Sequence, residues 1–224
     1  MPVTITFHGH STVTLDSGST KVLIDPFFSG NPSATVGAGD IACDAICCTH
    51  AHDDHVADLV PIAKRTGATV FANYELAMHA VSQGVENYEP MNPGGKVKTP
   101  WGWVAMTPAI HSASFNGVAM GVAAGIVVHI GGVTVYHLGD TALFSDLKLM
   151  SDLYRPDVAL IPVGDRFTMG PEHGKIAAEW IRPKVAIPIH YGTWPLLTSD
   201  ISAFRPDGVE VKALKPGESM TFGE

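Results

Sequence analysis

The sequence predicts an α/β protein in which two β-sheets pack face to face with helices outside them. Three observations predict this. The chain opens with a run of strands, interleaves strands with helices through its middle, and returns to strand near its end. Its first strand alternates apolar and polar residues, as a strand with one buried face does, whereas residues 158–163 are apolar throughout, as a strand covered on both sides is. No stretch rich enough in Pro, Gly or Ser divides the 224 residues, so one domain over residues 1–224 is expected, long enough to bury an ample core.

Taken in order, residues 3–10, 11–16 and 21–26 read as a three-stranded meander, with a turn at Asp16-Ser17-Gly18-Ser19. Residues 27–40 are rich in Gly, Ser, Pro and Asn and read as a long loop, the kind that often covers a site. An apolar strand at 41–48 follows, then the histidine-rich stretch 49–55, then a helix that begins near Val56 and stops near Thr66-Gly67. Residues 68–72 read as a strand and 74–83 as a helix stopped by Gly84. After Gly94-Gly95 come strands at 96–98 and 102–109. A hairpin of 121–130 and 133–138 turns through Gly131-Gly132. Helices are expected at 145–154 and 171–181, strands at 158–163 and 185–189, a helix-like stretch at 198–204 and a last strand at 208–214.

The composition narrows the function. A hydrophobic fraction of 46% with only 16% charged residues belongs to a well-packed globular protein. The net charge of −8 argues against a general nucleic-acid surface, which needs clustered Lys and Arg. No apolar run of membrane length and no signal-peptide pattern appears, so the expected location is the cytoplasm, without a membrane partner. Cys43, Cys47 and Cys48 are odd in number, and the adjacent pair points to opposite faces of a strand; they read as buried, inert thiols.

The chemistry concentrates in Thr49-His50-Ala51-His52-Asp53-Asp54-His55. His50, His52, Asp54 and His55 are four possible metal ligands within six residues, placed in an exposed turn between strand and helix. Imidazole with carboxylate suits zinc first, with manganese, nickel or iron(II) as alternatives, better than magnesium or calcium. Three further strands end in ligand-type residues: His111, Asp140 and His190. Strand ends along one rim of a sheet can converge on a point. Seven ligands suffice for two divalent metals if a carboxylate bridges, and Asp140, with two oxygens, is the natural bridge.

Other histidines are assigned more modest places. His8 and His10 share a strand face, and His10 is either a hydrogen-bonded core residue or lines the site from behind as a substrate-binding group. His79 reads as a surface or packing residue, His129 and His137 as packing residues within strands, and His173 as a surface residue first, with a substrate contact as the alternative. Arg166, just past a strand end, is a candidate contact for an anionic substrate group. Trp194, with Phe27, Phe28, Phe115 and Phe167, is a candidate wall of the pocket.

The ordered set His50-x-His52-x-Asp54-His55, His111, Gly139-Asp140 and His190 resembles the signature of the metallo-β-lactamase superfamily, and Asp25-Pro26 resembles its early, usually structural, Asp. More narrowly, Phe7-His8-Gly9-His10-Ser11, Gly139-Asp140-Thr141-Ala142-Leu143-Phe144 and Phe167-Thr168-Met169-Gly170-Pro171 are similar to the small prokaryotic branch of predicted metal-dependent hydrolases, related to ascorbate-6-phosphate lactonase. The resemblance implies a four-layer αββα sandwich with a dinuclear site. His50, His52 and His111 would hold one metal, Asp54, His55 and His190 the other, with Asp140 between them. Asp54 and His190 would also carry catalytic roles, Asp54 as an orienting base. The oxygen-reducing diiron branch places Glu where this chain has His52, which disfavours oxidoreductase chemistry.

A metal lowers the pKa of its bound water from 15.7 to about 7. The expected reaction is therefore attack of a metal-bound hydroxide on a small cytosolic ester, lactone or phosphodiester, with no Ser or Cys nucleophile. An RNA-processing nuclease and a non-catalytic metal-binding or interaction module are the alternatives. Assembly into a homo-oligomer is compatible with the sequence, which shows no interface.

Overall fold

The computed structural model describes residues 1–223. The strands are β1 (Val3–Gly9), β2 (Thr12–Asp16), β3 (Lys21–Ile24), β4 (Ala45–Cys47), β5 (Thr69–Asn73), β6 (Tyr88–Met91), β7 (Lys96–Thr99), β8 (Gly102–Pro108), β9 (Ser114–Phe115), β10 (Val118–Ala119), β11 (Ala124–Ile130), β12 (Val133–His137), β13 (Val158–Pro162), β14 (Val185–Ile189), β15 (Glu210–Val211) and β16 (Ser219–Phe222). The helices are α1 (Asp53–Val56), α2 (Leu59–Thr66), α3 (Tyr74–Ser82), α4 (Leu147–Tyr154) and α5 (Pro171–Ile181).

Two seven-stranded sheets form, in the orders β16-β1-β2-β3-β4-β5-β6 and β15-β14-β13-β12-β11-β8-β7, with β9 and β10 as a separate small hairpin. The period of two along each strand divides its side chains between two layers. Val3, Ile5, Val13, Leu15, Val22 and Ile24 meet Val104, Met106, Ile126, Val128, Val135, Leu160 and Ile187 between the sheets. The opposite face of the first sheet, with Leu23, Ile46, Cys48 and Val70, buries against Leu59 and Ile62 of α2 and Leu76 and Ala80 of α3. On the outer face of the second sheet, Val127, Tyr136, Ala159 and Ile161 bury against Leu147 of α4 and Ala177, Ala178 and Ile181 of α5. The result is the expected αββα sandwich. Cys47 faces the inter-sheet core and Cys48 the helices, and all three cysteines are buried free thiols.

Several elements differ from the sequence reading. The helix after the histidine-rich stretch is two pieces, α1 and α2, with Asp54 and His55 on the first. The strand before that stretch is only Ala45–Cys47. Residues 198–204 form turns: the Asp200 side chain accepts from the Ser202 N–H at 2.9 Å, and the Asp200 N–H donates to Thr198 Oγ1 at 3.3 Å, local bonds that compete with a helix. The strand expected at 208–214 is the short β15. β6, the β9–β10 hairpin and β16 are additions, and β16 closes an edge by pairing antiparallel with β1. The hairpin at Gly131-Gly132 forms as expected, with Ile130 opposite Val133 and positive φ (59° and 85°) at both glycines.

Candidate metal centre

The site lies where strands of both sheets end. Asp25 follows β3, His50 follows β4, His111 follows β8, Asp140 follows β12 and His190 follows β14, while α1 supplies Asp54 and His55. The stretch is less exposed than the sequence implied: His50 and His55 are completely buried, His52 and Asp54 are half-buried, and only Asp53 of these residues is exposed. Three groups have ligand atoms within 4.8 Å of one another: His50, His52 and His111; His50, His55 and Asp140; and His10, Asp54, His55 and His190.

Asp140 is the point on which these groups converge. Its Oδ2 lies 3.0 Å from His190 Nε2, 3.5 Å from His111 Nε2 and 4.0 Å from His50 Nε2. Its Oδ1 faces His55 Nε2 at 3.4 Å, and among the described residues neither of these buried atoms has a hydrogen-bond partner. Burying such polar atoms unmatched is costly. A cation between them would satisfy both, and the donor set of imidazoles and carboxylates is one a divalent transition metal accepts. The residues present therefore fit the metal centre that the sequence implies.

Orientation of the candidate ligands His50 and His55 comes from Asp25. Its carboxylate accepts the Thr49 N–H (2.7 Å), the Thr49 hydroxyl (2.7 Å) and the His55 Nδ1–H (2.7 Å). Thr49 Oγ1 in turn accepts from His50 Nδ1 at 3.0 Å. Both imidazoles are thereby turned with Nε2 toward Asp140, the outer hydrogen bonding that fixes tautomer and ring orientation in metal sites. Behind Asp140, Gly139 has φ 63°, and a Cβ there would come within 2.6 Å of the Ala124 carbonyl and 2.9 Å of Thr49 Cβ. Only glycine permits this approach of the two sheets.

The electrostatics follow from burial and mutual charge. Burial pushes His50 well down, helped by His55, and burial likewise lowers His52 and His111, which favours the neutral, ligating imidazole. Burial would also lower His55, but Asp140 and then Asp25 outweigh it and hold it well above the ordinary value. Burial would raise Asp140, yet His190 and His55 hold it well below the usual carboxylate range. Asp54 is lowered in the same way, against burial, chiefly by its hydrogen bond from His10.

The expected substrate contact at His10 is corrected. Its side chain is buried, its Nε2 bonds Asp54 Oδ2 at 3.1 Å and its Nδ1 bonds Thr193 Oγ1 at 2.9 Å, so neither ring nitrogen is open to a substrate. Burial first and His190 next push it down to about 4. Trp194 is half-buried, its ring 4.7 Å from that of His10 and 6.0 Å from that of Phe27. Arg166 is exposed beside Phe167 on a loop tied at its far end next to Asp140, where the Met169 N–H donates to the Thr141 carbonyl at 3.1 Å; at its near end the Gly164 carbonyl accepts the Thr198 N–H at 3.0 Å. Phe28 packs against His8, and Phe115 against His79; neither aromatic pair includes a ligand. The long loop is pinned, with Asp58 accepting from Phe28 N, Ser29 N and Ser29 Oγ. His173 is exposed on α5 and lines a cavity of about 390 Å³ whose lining includes none of the ligands.

His129 stacks on Trp103 with ring centroids 5.4 Å apart, as a packing residue. His137 does more than pack. Its Nε2–H donates to the Ser11 carbonyl at 2.9 Å, and its Nδ1 accepts from the Gly139 N–H at 3.1 Å, joining the two sheets directly behind Asp140. Thr49, Thr193 and this bridging role of His137 were not found from the sequence. Thr49 had a signal, its place beside His50 after a buried strand; Thr193 had none.

Comparison with known proteins identifies the family and the fold. The sequence model described as "Beta-lactamase superfamily domain" matches residues 4–190. A UPF0173 metal-dependent hydrolase of Thermus thermophilus is 46% identical over 223 residues, covering 97% of this chain and 98% of that protein. One from Geobacillus thermodenitrificans is 45% identical, covering 96% and 98%. Igni18, a novel metallo hydrolase from the archaeon Ignicoccus hospitalis, superposes with a TM-score of 0.90 at 32% identity, each chain fully covered. Fold and site thus define a metal-dependent hydrolase built on paired sheets. The chain belongs to the metallo-β-lactamase superfamily, in the small prokaryotic branch of the UPF0173 metal-dependent hydrolases.

Proposed function

We propose that this protein is a dinuclear hydrolase of small esters, lactones or phosphodiesters. The observation that carries the reading is the buried pair His55 Nε2 and Asp140 Oδ1, unmatched among the described residues and ringed by imidazoles from both sheets. His50, His52 and His111 would hold one metal and Asp54, His55 and His190 the other, with Asp140 shared. Two divalent ions, zinc first by donor type, would acidify water and polarise the substrate oxygen.

The residues around the centre have separate tasks. Asp25 keeps His55 and, through Thr49, His50 aimed inward. Asp54 is half-buried and kept ionised, so it can orient a proton-bearing attacking group. Trp194 and Phe27 would form an apolar wall, and Arg166 would meet an anionic group of the substrate. On this reading Arg166→Ala raises KM about tenfold for an anionic ester and leaves a neutral ester unchanged; equal effects on both would remove Arg166 from the site.

The decisive experiment is elemental analysis of the purified protein, paired with hydrolysis of a generic lactone and of bis-(p-nitrophenyl) phosphate. Close to two metals per chain with turnover of either substrate is the expected result, and the preferred substrate selects carbonyl or phosphorus chemistry. Near-zero metal after supplementation would sink the reading.

A further inference from the structure

His10 occupies an unusual junction. It follows a break in the β1–β2 register between Phe7 and Gly9, and its own φ is 57°, a left-handed backbone rare for a non-glycine residue. Its carbonyl accepts the His190 N–H at 2.7 Å. Its ring packs 4.1 Å from that of His190. Its Nε2 reaches Asp54 Oδ2 at 3.1 Å, and its Nδ1 reaches Thr193 Oγ1 at 2.9 Å. Because an ionised carboxylate only accepts, Nε2 carries the proton, and a neutral ring then accepts the Thr193 hydroxyl at Nδ1. One residue thus grips the backbone of one ligand and the side chain of another.

We propose that His10, held by Thr193, is the positioning residue for the Asp54–His55–His190 half of the metal centre. By donating to Asp54 Oδ2, which also lies 3.9 Å from His190 Nε2, the His10 Nε2–H fixes the carboxylate's rotation relative to that half of the centre. Thr193 sets the tilt of the imidazole from the other side. Strained backbone held by surrounding contacts is where such pre-arrangement is stored, and partners one step removed from a metal commonly change its affinity ten- to a hundredfold. The inference rests on the dinuclear reading above.

The test is a Zn²⁺ titration against a chromophoric chelator on the wild type and on Thr193→Val, His10→Ala and His10→Gln, with thermal unfolding of each metal-free protein alongside. Wild type binds two equivalents. Thr193→Val, which is isosteric and removes the hydroxyl that meets His10, weakens the second equivalent about tenfold and leaves the first unchanged. His10→Ala loses the second equivalent. His10→Gln, whose amide N–H can still reach Asp54, recovers it to within about tenfold of wild type. If wild type binds two equivalents and Thr193→Val and His10→Ala do so equally well, the positioning role is wrong while the dinuclear reading stands. If His10→Gln is as impaired as His10→Ala, His10 acts as a ligand itself and the positioning role is again overturned. A wild type that binds fewer than two removes both.

Discussion

The two sheets repeat one plan. Each has three antiparallel strand pairings followed by three parallel ones, and the change falls at β3 in the first sheet and β12 in the second. Each of these two strands leads to an aspartate, Asp25 or Asp140, and His55 lies between them, 2.7 Å from one and 3.4 Å from the other. Their surroundings separate them. Asp25 accepts three hydrogen bonds from its own sheet and α1, so its carboxylate is spent on structure. Asp140 keeps an oxygen without a hydrogen-bond partner and faces imidazoles instead. Equivalent positions become scaffold or candidate ligand according to whether nearby donors already fill the lone pairs.

The largest expected effect tests that division directly. Asp25→Ala strands the His55 Nδ1–H and both Thr49 donors in a dry interior, and urea unfolding of the metal-free protein should show a loss of about 3–5 kcal/mol. Asp140→Asn should cost less stability than this yet lose at least one metal equivalent by elemental analysis. Equal destabilisation with full metal content in Asp140→Asn would erase the distinction between the two carboxylates.

A second comparison concerns the neighbouring strands. β4 leads to Thr49 and His50, whereas its counterpart β13 leads to Gly164. A Cβ at Gly164 would stand 1.8 Å from the His190 carbonyl oxygen, so this strand end must stay bare for His190 to reach the centre. Gly164→Ala should lower stability by about 1–3 kcal/mol in thermal unfolding, with weaker metal retention. Normal stability would mean that the two strand ends are interchangeable.

Acid should act on the joint between the sheets. Burial lowers the pKa of His137, and both of its ring nitrogens are committed to a neutral tautomer. The unfolded chain therefore takes up this proton more readily than the folded one. His137's contribution is present above the unfolded value of about 6.5 and fades as pH falls below it, by at most about 1.4 kcal/mol per pH unit. Urea midpoints of metal-free wild type and His137→Gln, measured from pH 7.5 to 5, should converge as pH falls; parallel curves would assign the acid sensitivity elsewhere. The smallest effect is expected at His173→Ala, which should change stability by less than about 0.5 kcal/mol and leave metal content as it was.

Much of this architecture was legible in the residues. Strand ends bearing His50, His111, Asp140 and His190 announced a common rim, because apolar runs stop where ligand-type residues begin. His10 was harder. A strand's alternation tells which face a residue takes, but the register break before Gly9 ends that alternation, so its inward turn is a tertiary fact. Thr193 belongs to a turn whose only distinction is proximity to His10 in space. β6 contains Pro90 at a sheet edge and β16 alternates half-exposed residues, so neither carries the apolar signal of a central strand. The helix expected at 198–204 lies between Pro195 and Pro206, too few residues to outweigh the Asp200 and Thr198 turns.

The contact between His10 and Thr193 spans 183 positions of sequence. During synthesis the local His50-x-His52 pair emerges early, whereas the other half waits for residues beyond β14. The full donor set is thus assembled only once both ends of the chain are in place. On the proposed dinuclear reading, a chain stalled before β14 would keep His50 and His52 yet lack His190, and its second set of donors would be incomplete.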